Sequence, residues 1–244
     1  MNYDRNIKYF NDLNSFLRKM EGKALTQLAL FVIVLFIILF IISPLAGILV
    51  ISGIILWLVL KKKITDSEID QACIDAIQNI KNEAINRLGV DEDQVKMAEP
   101  ILIKGYDFFD DSSDILYKQG KDGIWRSSQY KAVLFFFSSE QVFCFSRTFS
   151  LIKRDEQYDS TDEYFYRDIV SVSTTQNKRR ITINEKVDGK KTPVTSEVTS
   201  ECFRLTTSGG TSVQATVTKK DTEAVNRSIN AMRNLLKDKK QIMK

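Results

Sequence analysis

The chain has 244 residues and a formal net charge of +4, with Lys+Arg at 35 against Asp+Glu at 31, a balance that argues against nucleic acid as a partner. It has no histidine, which removes the commonest general base and metal ligand. Its three cysteines, Cys73, Cys144 and Cys202, are far apart and odd in number, so neither a disulfide frame nor a Cys-x-x-Cys metal site is available.

The first expected element is helical. Tyr3, Ile7, Phe10, Leu13, Leu17 and Met20 recur at steps of three and four, with Arg5, Lys8, Asp12, Arg18 and Lys19 between them. Such an amphipathic helix either lies on a membrane surface or packs on the protein's own domain. Residues 24–60 then carry no charged side chain and are closed by Lys61, Lys62 and Lys63. Ser43-Pro44 divides this block into runs 24–42 and 45–60, which as helices would reach about 28 Å and about 24 Å against a hydrocarbon core of about 30 Å. A two-helix membrane hairpin is the expectation. Arg18, Lys19 and Lys23 before it and Lys61, Lys62 and Lys63 after it form a membrane-surface basic set. By the positive-inside rule they hold both termini on the cytoplasmic side of the inner membrane.

Thr65-Asp66-Ser67-Glu68 has capping-box spacing. Ile69, Cys73, Ile77, Ile80, Ala84 and Leu88 form one apolar stripe behind it, stopped by Gly89. This helix needs a partner surface, in its own chain or in a second protomer. From Ile101 the pattern turns to β. Residues 101–109 and 115–118 are expected to pair across a polar turn, and 130–137 and 141–149 form a hairpin around Ser138-Ser139-Glu140. Strands follow at 168–174, 180–187, 194–206 and 211–218. The acidic stretch 155–163 and the run Lys178-Arg179-Arg180 are expected in loops. Val225, Ile229, Met232 and Leu236 give a closing amphipathic helix. Organised by segment, the expectation is an N-terminal helix at 1–23, a hairpin at 24–63, a helical connector at 64–100 and a domain at 101–244. The fold class is a membrane α-hairpin plus an α+β domain, with an antiparallel barrel or sandwich closed by a C-terminal helix.

Trp125 followed by YKAVLFFFSSEQVFCFS, EYFYRDIVSVST at 163–174, and FRLTTSGG at 203–210 before the last helix resemble a pleckstrin-homology-like domain of the bacterial kind. Tyr166, Asp168, Ile169 and Val172 fill the positions of its Y-x-D-I-x-S-V strand. Phosphoinositide-binding members of that superfold carry a lysine in the first strand and an Arg-x-Arg after the first loop. The resemblance therefore makes Lys118, Lys121 and Arg126 the candidate lipid-headgroup residues, although Ser128 stands where the second arginine would be.

No GxGxxG, Walker A or GxSxG string is present, and the calcium-loop start at Asp110 fails at Ile115 and Lys121. No enzyme, cofactor or metal is expected. The expected function is a membrane-anchored cytoplasmic scaffold or adaptor, with the lipid bilayer, an unidentified protein and a second copy of the chain as partners. An oligomerising membrane effector or channel-like subunit with a sensor domain, and a lipid-headgroup sensor, are the alternatives.

Overall fold

The computed structural model describes residues 1–11, 52, 64–95, 98–109, 114–187, 190–217 and 222–242. Three helices lead the described chain: α1 (Tyr3–Asn11), α2 (Asp66–Ala76) and α3 (Ile80–Leu88). The capping box forms at α2, where Thr65 Oγ1 accepts from the Glu68 amide at 3.2 Å and Glu68 Oε2 accepts from the Thr65 amide at 2.8 Å. Gly89, at φ 65°, ends α3 in the left-handed conformation that glycine adopts without strain. Ile69, Cys73, Ile77, Ile80 and Ala84 are all buried, so the stripe finds its partner within the chain.

Among the described residues nine strands follow: β1 (Ile101–Tyr106), β2 (Tyr117–Gln119), β3 (Trp125–Ser127), β4 (Gln129–Phe137), β5 (Gln141–Ser150), β6 (Gln157–Phe165), β7 (Ile169–Val187), β8 (Lys190–Thr207) and β9 (Ser212–Val217). They make three antiparallel sheets, ordered β1-β4-β5-β6, β2-β3 and β7-β8-β9. Helix α4 (Thr222–Ile242) closes the described chain. The β4–β5 hairpin turns at Ser138, whose Oγ accepts from the Glu140 and Gln141 amides.

The central strand β4 of the four-stranded sheet is buried on both faces, which explains its unbroken apolar run. Val133, Phe135 and Phe137 point into a core shared with β9 and the Val225, Ile229, Met232 and Leu236 stripe of α4. Ala132, Leu134 and Phe136 point the other way, against Tyr9, Phe10 and the α2–α3 stripe. Each large apolar side chain taken fully out of water contributes about 1.5–3 kcal/mol, so α1 to α3 are integral to stability. Of the two roles open to the N-terminal helix, packing on its own domain is the observed one for α1.

Strands β1 and β9 cross at close range beside this core. A Cβ on Gly105 would stand 2.4 Å from the Thr216 carbonyl oxygen, so only glycine permits the approach. Because β9 pairs only with 201–206, the outer halves of β7 and β8 continue as a two-stranded ribbon. Ile181 and Val198 bury its base, and Arg179 Nη1 donates to the Phe108 carbonyl.

Several expectations are corrected here. Among the described residues no helix is long and apolar enough to cross a membrane. The multi-pass hairpin at the inner membrane, with both termini cytoplasmic, is therefore not supported, and the membrane and transmembrane assignments fall with it. The expected spans at 24–42 and 45–60 lie outside the described residues, apart from Ser52. A charge-free run records apolar composition, and composition alone does not fix what buries it. The expected barrel or sandwich is not a closed barrel: the strands form three sheets, and no ladder among the described residues joins β6 to β7. Locally, β2 pairs with β3 and not with β1. Residues 155–163 contribute most of strand β6, and Lys178-Arg179-Arg180 sits inside β7, whose 19 residues merge two expected strands.

Candidate functional site

The β2–β3 hairpin holds all three candidate headgroup residues, with Lys118 directly opposite Arg126. Arg126 is fully buried. Its Nε and Nη2 donate to Asp70 Oδ1 and Oδ2 at 2.8 and 2.9 Å, while Nη1 and Nη2 donate to Asp122 Oδ1 and Oδ2 at 3.0 and 2.8 Å. Asp70 belongs to α2, one turn before Cys73, so the stripe that packs α2 also delivers this carboxylate. Burial alone would lower the guanidinium pKa; the bonds to Asp122 and then Asp70 outweigh it and raise the pKa above its ordinary value.

Around this centre the network is continuous. Tyr106 Oη donates to Asp70 Oδ1 at 2.8 Å, and burial holds its phenol protonated well above the usual range. Tyr9 Oη donates to Asp66 Oδ1 at 2.8 Å, and burial followed by that bond raises its pKa likewise. Cys73 is pushed up to about 12 by burial, so it is an inert thiol. Lys118 Nζ donates to the Tyr9 carbonyl at 2.7 Å and sits 4.0 Å over the Tyr9 ring. Lys121 contributes its amide to Asp66 Oδ2 at 2.7 Å, with its side chain exposed. The structure thus brings the three residues together as the clasp that fastens α1 and α2 to the hairpin. Arg18, Lys19, Lys23, Lys61, Lys62 and Lys63 lie outside the described residues.

A second cluster joins α3 to the sheet. Arg147 donates to Asp159 through Nε and Nη2, both at 2.8 Å, and pairs with Glu83 at 2.6 Å. With Arg87 3.9 Å from Asp159, two cations face two carboxylates, and the geometry is that of a strut whose Arg147 is buried and whose Asp159 is nearly so.

The site with an open face lies elsewhere. β7 is the last strand of its sheet, and among the described residues no strand pairs with its outer edge. Between that edge and α4 runs a groove of about 390 Å³, lined by Val170, Ser171, Val172, Arg233, Leu236 and Lys237 among others. Among the described residues no carboxylate lines it. Val170 is 58% exposed at a register shift between Ile169 and Ser171, where the edge bulges outward. Arg233 Nε donates to the Val172 carbonyl at 3.1 Å, so the strand's outward polar groups point into the groove. Arg233 and Lys237 are one turn apart on α4, which aligns two cations along its wall.

These groove residues were missed at the sequence level. The available signal was the Arg233–Lys237 spacing beside the apolar stripe, but only the sheet order reveals that they face an open strand. No family model, curated protein or solved structure matches the chain, and nothing in those comparisons identifies a pleckstrin-homology-like domain.

Proposed function

We propose that this protein is an interaction module that takes an extended, acidic segment of a partner as an added strand on the outer edge of β7, against α4. One observation carries the reading. An open strand edge with an exposed valine faces a groove whose charged side chains are both cationic. Backbone ladder bonds supply affinity in such strand addition, and the pocket chosen by alternate side chains supplies selectivity. Arg233, which donates to the Val172 carbonyl, is positioned to turn to an incoming carboxylate once a ladder bond replaces its own. The headgroup reading at Lys118, Lys121 and Arg126 is weaker, because Arg126 is occupied by Asp70 and Asp122 and Lys118 by Tyr9.

The test uses the full chain and a labelled acidic, strand-forming peptide, with a scrambled peptide as control. Binding should protect the backbone amides of 170–174 from exchange, weaken with added salt and be lost in Arg233→Glu/Lys237→Glu. Binding that ignores these substitutions and leaves the β7 amides unprotected would place the site elsewhere.

A further inference from the structure

The chain carries a strand with the properties that this groove selects. Strand β6 is the outermost strand of the four-stranded sheet, and among the described residues its outer edge pairs with no strand. Gln157–Phe165 contains no cation; its outward charge is Asp162 and Glu163, with Asp155 before it, while Asp159 is held by Arg147 and Glu156 by Lys153. Its residues are exposed almost throughout, so neither face is covered as β4 is. Tyr158 is 65% exposed and Phe165 42%. An edge strand this acidic repels another copy of itself, and the cationic β7–α4 groove repels another copy of itself. Unlike edges attract.

We propose that the segment taken by the groove is β6 of a second copy of this chain, a deepening that rests on the strand-addition reading above. The contact is heterologous: the acidic edge of one copy meets the cationic edge of the next, leaving one edge of each kind unused at the two ends. Repetition closes a ring or extends a filament, according to the rotation between copies. Phe165 and Val170 flank the short Tyr166–Asp168 turn that joins the two edges, which places exposed apolar surface at the junction.

Sedimentation velocity on the full chain tests this. At low salt the parent should form species larger than the monomer as concentration rises, and these should dissociate as salt screens the contact. Asp162→Lys/Glu163→Lys on β6 and Arg233→Glu/Lys237→Glu on α4 should each weaken self-association by at least about tenfold, roughly the effect of one lost charge pair. Mixing the two variants should restore it, since the reversed β6 then meets a reversed groove. That recovery excludes misfolding as the cause of the single losses. A parent that stays monomeric throughout, or a mixture that does not recover, overturns the inference. A synthetic peptide of residues 155–165 separates the two proposals. If it binds a monomeric parent and is lost in Arg233→Glu/Lys237→Glu, the groove stands and self-recognition falls. If it fails to bind and the parent stays monomeric, both fall.

Discussion

Replacing Arg126 by methionine tests whether the clasp is a stability element. The substitution keeps an unbranched apolar stem but deletes a guanidinium whose side chain is 1% exposed. Four bonds to two carboxylates disappear, and removing one partner of a buried pair costs about 3–5 kcal/mol because the other charge is stranded. Asp70 and Asp122 keep 24% and 34% exposure, so water regains part of the loss and the lower end applies. The expected cost is about 3 kcal/mol, a Tm fall of roughly 6–12 °C for a folded unit of this size. Arg126→Lys keeps the charge but cannot fork to both carboxylates, and should lose about half as much. Thermal and urea unfolding followed by circular dichroism supply the numbers, and Asp70→Asn in both backgrounds completes a double-mutant cycle. An Arg126→Met protein within about 1 kcal/mol of the parent, or a cycle with no coupling, would refute the reasoning.

Gly105→Ala should cost about 2 kcal/mol by urea unfolding, because its Cβ would meet the Thr216 carbonyl oxygen at 2.4 Å; a neutral result would mean that β1 and β9 can part there. Ile229→Asp/Met232→Asp places two carboxylates at positions 1% exposed and should abolish the cooperative melt, whereas a parent-like melt would mean that α4 is not part of the core. The clasp also sets an alkaline limit. Tyr9 and Tyr106 have raised pKa values, so the folded state keeps protons that unfolded phenols release from about pH 10 upward, and stability is full below that pH and falls above it. The urea midpoint should drop between about pH 9 and about pH 11, less steeply in Tyr9→Phe, and a flat profile would exclude the contribution.

Local signals were legible where one residue's chemistry decides the geometry. Thr65 and Glu68 announced the cap, Gly89 the helix end, Ser138 the hairpin, and Val225 to Leu236 the closing stripe. What failed depends on which surfaces meet. Strand β6 looks like a loop because an edge strand exposed on both faces has no apolar alternation to display. The long β7 was split because Gln176 to Arg180 belongs to a ribbon whose polar residues face solvent. Arg126 reads as a candidate headgroup residue, since nothing local says that Asp70, 56 residues earlier, arrives beside it. The groove was invisible for the same reason: an open edge is a property of sheet order.

The Tyr9–Asp66 bond has a mechanical consequence. It joins the end of α1 to the start of α2, and with the Arg5–Glu68 pair it holds the described ends at Asn11 and Ile64 close together. Tension applied at those two ends meets the phenol–carboxylate contact, backed by Lys118 on the Tyr9 carbonyl and the Lys121 amide on Asp66, together with the buried Tyr9 and Phe10 rings. Such a load reaches the polar clasp and the core under α1 before it reaches the strand ladders.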